Sequence, residues 1–150
     1  MTDKAGNAGN EPAVLFELAA PHVALVTLNR PKAHNAVNGD IATLLDAAVQ
    51  RVEADADIRV AILAARGPSF CAGADLKLAN EGRAAEMSVG EAGFAGFVNA
   101  RRRKPWIAAV HAGAFGGGTE IALSCDLVVA GAKALFAPPE VGHGIIAGAG

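Results

Sequence analysis

Two glycine clusters, each following a short apolar run, constrain this chain more than any other feature. Val60 to Ala64 leads through Arg66-Gly67-Pro68 towards Ala72-Gly73-Ala74, and Trp106 to Val110 leads towards Gly116-Gly117-Gly118. A short apolar run closed by turn residues reads as a buried strand. Small residues beyond it leave backbone amides that a ligand oxygen can approach without meeting a side chain. In the second case the amides open a helix, where unpaired N–H groups and the helix dipole favour negative charge. Taken singly, each cluster reads more simply as an ordinary tight turn. Side by side, the two would make an oxyanion hole.

The rest of the chain supplies layers around these loops. Val14 to Leu18 and His22 to Leu28, with Ala19-Ala20-Pro21 between them, alternate as a strand, a turn and a second strand. Asn38 caps an expected helix in which Ile41, Leu44, Leu45, Ala48, Val49 and Val52 recur at three- and four-residue spacing up to about Ala54. Residues 79–93 mix helix formers with glycines and read as a mobile connection with at most short helical pieces. A second helix is expected over Phe94 to Arg103, ending before Pro105. Its basic end, Arg101 to Lys104, reads as a solvated helix terminus complementing the dipole, with contact to a ligand phosphate as the alternative. Thr119 to Ser124 reads as a short buried helix and Leu127 to Ala130 as another buried strand. This strand and helix rhythm belongs to α/β layering. Residues 1–12 are small, polar and aperiodic, and read as a disordered arm; residues 13–150 read as one core.

Composition and motifs remove several classes. With 13 Lys and Arg against 15 Asp and Glu the net charge is −2, which offers little to a nucleic acid. No apolar run approaches the ~20 residues of a membrane span, and no secretory h-region opens the chain. Nothing here predicts a membrane partner. The 18 glycines follow no G-x-y period, which excludes a collagen-like chain. Nucleophile-elbow, P-loop and dinucleotide signatures are missing. The histidines at 22, 34, 111 and 143 are scattered, so no metal is expected. Cys71 and Cys125 read as free, buried packing thiols of a reducing compartment.

Carboxylates complete the pattern. Glu120 comes two residues after the triple glycine, amid Ile121, Ala122 and Leu123, and Glu140 stands between Pro138-Pro139 and Val141-Gly142. Such surroundings solvate a carboxyl poorly, which suits an acid or base. Two amide-rich turns followed by two such glutamates fit proton transfer beside a developing oxyanion, that is, enolate chemistry.

At these residues the sequence resembles the crotonase superfamily, the enoyl-CoA hydratases and isomerases. The matching segments run in order: L-N-R-P-K-A-H-N-A (Leu28 to Ala36), S-F-C-A-G-A-D-L (Ser69 to Leu76), K-P-W-I-A-A-V (Lys104 to Val110), F-G-G-G-T-E-I-A-L-S-C-D (Phe115 to Asp126) and F-A-P-P-E-V-G-H-G (Phe136 to Gly144). The resemblance implies an α/β, crotonase-like (ClpP/crotonase) spiral of ββα turns, here truncated before its C-terminal helical region, with an acyl-CoA thioester between the two loops. It maps the oxyanion donors to Ala74 and Gly117 and the acid/base pair to Glu120 and Glu140. Lys32, Ala33, His34, Ala72, Asp75 and Leu76 map to stretches bordering the CoA portion. His34 departs from the pattern, standing where members usually have an apolar residue, as do Ala112 and Ala147 in place of a glycine and a proline.

The activity this implies is syn hydration of a 2-enoyl-CoA, within fatty acid metabolism. The alternatives are an enoyl-CoA isomerase or carnityl-CoA-type dehydratase of the same superfamily, or a catalytically silent acyl-CoA-binding protein. No separate cofactor is implied, since coenzyme A is part of the substrate. A cytoplasmic homotrimer, or a dimer of trimers, is the assembly implied for the full-length form.

Overall fold

A computed structural model describes residues 11–139, together with Gly142 and Gly148. In chain order its elements are β1 (Val14–Ala20), β2 (Val23–Leu28), α1 (Gly39–Ala54), β3 (Val60–Ala65), β4 (Ser69–Cys71), α2 (Leu76–Asn80), β5 (Ser88–Val89) and β6 (Gly93–Phe94). They continue with β7 (Trp106–Val110), β8 (Gly113–Phe115), α3 (Gly117–Leu123), β9 (Leu127–Ala130) and β10 (Leu135–Ala137). One sheet has the order β1-β2-β3-β7-β9, antiparallel only between β1 and β2. A second, parallel sheet has the order β10-β8-β4. Twice the chain therefore makes the same ββα step. β3 and β7 lie in the larger sheet, β4 and β8 in the smaller, and α2 and α3 follow.

The core follows from these alternations. Ala24, Val26 and Leu28 on β2, Ala61 and Leu63 on β3, and Trp106, Ala108 and Val110 on β7 are buried. Against them α1 lays Ile41, Leu45, Ala48, Val49 and Val52, at ~1.5–3 kcal/mol for each large side chain removed from water. The helix starts where the capping pattern predicts, with Asn38 Oδ1 accepting from the Ile41 amide at 3.1 Å. Phe97 and Trp106 meet edge to face with centroids 5.0 Å apart.

The structure corrects two expectations. There is no helix over Phe94 to Arg103: the segment begins in β6 and continues as turns. Gly93, Ala95 and Gly96 have φ of 68°, 59° and 63°, a left-handed backbone that a right-handed helix cannot absorb. The basic residues that follow are tied inward. Arg102 stacks on Phe97 and donates to the Phe97 and Ser124 carbonyls. Arg103 pairs with Glu53, and Lys104 Nζ donates to the Val52 and Asp55 carbonyls. The run does complement a helix C-terminus, but it is that of α1. The second correction concerns Leu127 to Ala130, expected to be buried. All four residues of β9 are exposed, because among the described residues the strand is paired only along its edge with β7.

Residues 79–93 carry short helical turns at Ala84–Met87 and Gly90–Ala92 and the small β5–β6 hairpin. Of the expected arm, residues 1–10 lie outside the described residues. Glu11 pairs with Arg66 at 2.8 Å, and the Pro12 carbonyl accepts from Asn29 at 3.0 Å. Among the described residues no helix is long and apolar enough to cross a membrane.

Candidate active site

Both glycine clusters leave the smaller sheet, and that sheet brings them together. Ala72-Gly73-Ala74 follows β4, and Gly116 follows β8, its parallel neighbour. Gly73 has φ +87°, and a Cβ there would fall 2.8 Å from the Phe115 carbonyl oxygen and 3.0 Å from the Gly117 nitrogen. A glycine is required at this contact, and through it the first loop lies directly on the start of α3. A Cβ on Gly117 would strike the Phe94 ring at 2.5 Å. Phe94, read from the sequence only as the start of a helix, is instead an aromatic wall against the second loop.

Ala74 and Gly117, the expected oxyanion donors, sit at the ends of this contact. Val37 and Ala74 form a parallel bridge in which the Val37 N–H donates to Gly73 O at 2.7 Å and the Asp75 N–H to Val37 O at 3.0 Å. In such a bridge the N–H of Ala74 itself faces away from Val37. Gly117 is the first residue of α3, so its N–H is one of those with no intrahelical acceptor. Glu120 is half-buried in the first turn of α3, one helical turn from Gly117. Thr119 Oγ1 donates to the Ala114 carbonyl at 2.7 Å and fixes that turn to β8. Glu140 lies outside the described residues. The Ala137 carbonyl, three residues earlier in the chain, accepts from the Gly116 N–H at 3.0 Å.

The segments mapped to the CoA portion also meet. The Ala72 N–H donates to the His34 carbonyl at 3.0 Å, which places Lys32, Ala33 and His34 beside Ala72. Lys32, His34, Ala72 and Leu76 are exposed, and Ala33 is half-buried. His34 Nδ1 is 2.9 Å from Ser69 Oγ, so the ring sits back against β4. Asp75 differs in that its carboxylate is already engaged. It caps α2 through the Lys77 and Leu78 amides and pairs with Arg30 at 3.2 Å. Burial alone would raise its pKa, but the Arg30 hydrogen bond, the two amides and the Arg30 charge outweigh it and hold the carboxyl below its usual range. Arg30 and the fully buried Asn35 appear in the sequence only as parts of a motif. Their structural weight could not be read without the partners lying some 30 to 45 positions away.

Among the described residues no group of three or more His, Cys, Asp or Glu side chains could hold a metal ion. Cys71 and Cys125 are free and buried, and burial pushes both thiols up to about 12.

The architecture, two ββα steps presenting paired glycine loops beside a helix-borne glutamate, is that of the crotonase fold. The enoyl-CoA hydratase/isomerase family profile matches residues 19–150, and the chain belongs to that family. It is 45% identical over 140 residues to a mevalonyl-coenzyme A hydratase of Beauveria bassiana, covering 87% of this chain and 50% of that protein. Among solved structures it is similar to an enoyl-CoA hydratase from Mycobacterium tuberculosis (TM-score 0.85, 45% identity, 93% of this chain and 54% of that one). A carnitinyl-CoA hydratase from Mycobacterium avium is similar to the same degree (TM-score 0.85, 43% identity, 94% and 54%). The chain spans about half the length of the curated relatives it matches.

Proposed function

We propose that the protein is an enoyl-CoA hydratase that adds water syn across the α,β double bond of a 2-enoyl-CoA. One glutamate of the pair Glu120 and Glu140 takes a proton from water as its oxygen bonds to the β-carbon. The electron pair of the double bond moves onto the thioester oxygen, which the Ala74 and Gly117 amides stabilise as an enolate oxyanion. The other glutamate delivers a proton to the α-carbon as the enolate collapses, and a 3-hydroxyacyl-CoA leaves. In this reading Lys32, Ala33, His34, Ala72, Asp75 and Leu76 border the CoA.

The observation that carries this reading is the seating of Gly73 against the Gly117 amide, with Glu120 one helical turn away. Turnover of crotonyl-CoA, followed as loss of the conjugated enone absorbance, tests it. A protein that leaves this absorbance unchanged is not a hydratase of short 2-enoyl-CoA. Dehydration of a carnityl-type thioester is the second reading, favoured by the likeness to a carnitinyl-CoA hydratase. It uses the same acid/base pair in reverse. A place in fatty acid metabolism, in the cytoplasm, is proposed with the hydratase reading. Assembly of the full-length form as a homotrimer or a dimer of trimers is proposed with the same reading.

A further inference from the structure

The loop from Arg30 to Val37 is stitched to the loop from Ser69 to Asp75. Besides the backbone bonds of His34 and Val37, the buried Asn35 side chain donates to the Arg66 and Ser69 carbonyls, each at 2.9 Å. These bonds hold Gly73 and the Asp75 N–H but leave the Ala74 N–H on the far side of the bridge. Its direction is set by the Gly73 carbonyl of the same planar peptide, which the Val37 N–H holds, and so depends on how firmly the two loops are clamped together at Val37 and Asp75. The Asp75 carboxylate is fixed from both sides, with Oδ1 accepting from Lys77 N at 3.2 Å and Oδ2 from Arg30 Nη1 at 3.2 Å. The same Arg30 nitrogen donates to the Ala36 carbonyl at 2.5 Å. Arg30 is itself anchored, its N–H donating to Asn35 Oδ1 at 2.8 Å and its carbonyl accepting from the Ala33 and Asn35 amides.

One guanidinium nitrogen thus joins the two loops. The side chains of Arg30 and Asp75 are only 25% and 17% exposed, so solvent screens the pair less than a surface one. Removing Arg30 would leave a carboxylate short of its counter-charge beside the oxyanion loop.

We propose that Arg30 is a positioning residue for catalysis, holding Ala36 and Asp75 together so that the Ala74 N–H stays aimed at the thioester oxygen. The role of that oxygen rests on the hydratase reading; the staple itself does not. Asp75 acts here as the partner of Arg30, with its carboxylate turned to that task and not to the CoA.

Arg30 and Asp75 line a cavity of about 250 Å³, together with Asn38 and Leu78, so a small cation can reach the space that Arg30→Ala would open. The test compares Arg30→Ala, with and without added guanidinium, against the parent in two measurements. The first is amide hydrogen exchange at Val37 and Asp75 in the ligand-free protein. It is expected to accelerate about tenfold relative to Val26 in β2, and guanidinium should slow it again. The second is crotonyl-CoA turnover, where kcat should fall about 10- to 100-fold, the scale of a displaced catalytic group. KM should stay within about twofold, as expected when an interaction of the transition state alone is lost. Guanidinium should recover most of the kcat loss in Arg30→Ala and none in the Arg30→Ala, Asp75→Ala double variant. If Arg30→Ala does not fold, Arg30→Lys, which keeps the charge and loses the fork, should show the same kcat-only loss at smaller amplitude. Unchanged exchange, a joint loss in kcat and KM, or failed rescue would overturn the proposal. A parent protein inert towards crotonyl-CoA would remove the hydratase reading instead, and the exchange measurement would then decide the staple alone.

Discussion

Gly118 approaches Cys71 so closely that a Cβ on Gly118 would fall 2.2 Å from the Cys71 carbonyl oxygen. The third glycine of the triplet is therefore a packing residue, which lets α3 rest on β4 and sets the separation of the two loops. Gly118→Ala needs backbone movement, since the obstacle is a carbonyl and not a flexible side-chain end. A loss of at least ~1–3 kcal/mol, the usual cost of overpacking, is expected in urea unfolding, with turnover lost as well. A Gly118→Ala protein as stable as the parent would mean that α3 is not seated this tightly.

Glu120→Gln keeps the shape of the side chain and removes its proton chemistry. The expected loss in kcat is ~10²–10⁴-fold, with unchanged circular dichroism and thermal midpoint. Glu140→Gln is expected to behave alike. A variant within a few-fold of the parent would remove that glutamate from the mechanism.

The two cysteines should behave as inert core atoms. The Cys71 thiol donates to the Asn35 carbonyl at 3.1 Å, and burial pushes its pKa up to about 12, as it does for Cys125. Thiolate is then scarce near neutral pH. Native protein should resist a thiol reagent at pH 8, and both cysteines should react once it is unfolded. Cys71→Ala should keep its turnover and lose about a kilocalorie per mole of stability. Loss of turnover in a folded Cys71→Ala would call for a thiol mechanism.

Glu53 gives the protein an acid-sensitive joint. Burial tends to raise its pKa, but the Lys104 amide and the Arg103 side chain and amide win and hold it below its usual range. A carboxyl whose folded pKa is depressed adds stability that is present above its unfolded pKa and lost as pH falls through the folded one. The contribution should therefore fade below about pH 4.3, the ordinary glutamate value. Glu53→Gln should be less stable than the parent at pH 7, and the two should converge at acid pH. A difference that stays constant between pH 7 and pH 3 would show that the carboxylate charge is not what ties α1 to β7.

The sequence made α1 legible because one cap, Asn38, and one apolar stripe agree. The positions of the glycine loops and of Glu120 were legible because clustered small residues close each apolar run, and because a carboxylate amid Ile121, Ala122 and Leu123 is uncommon. The strands β4, β8 and β10 were not, since three residues are too few to show a period. The supposed helix from Phe94 failed at Ala95, a fully buried residue at φ 59°. There tertiary packing overrides the local preference of alanine. Arg30 and Asp75 lie 45 positions apart, so only the fold could pair them.

The exposed strand β9 carries the last prediction. Leu127 and Val129 are 60% and 62% exposed, and Leu123 just before them is 67% exposed. Leu135 and Phe136 on β10 add further exposed apolar surface. An edge strand combines unpaired backbone groups with apolar side chains, and both favour pairing with another chain. Expressed as these 150 residues alone, the chain should sediment as more than a monomer and bind a hydrophobic dye. Replacing Val129 by Lys places a charge on the open edge and should lower both signals without altering the core, since Val129 lies outside it. A monodisperse, dye-silent and cooperatively unfolding 150-residue monomer would show that this surface is not sticky.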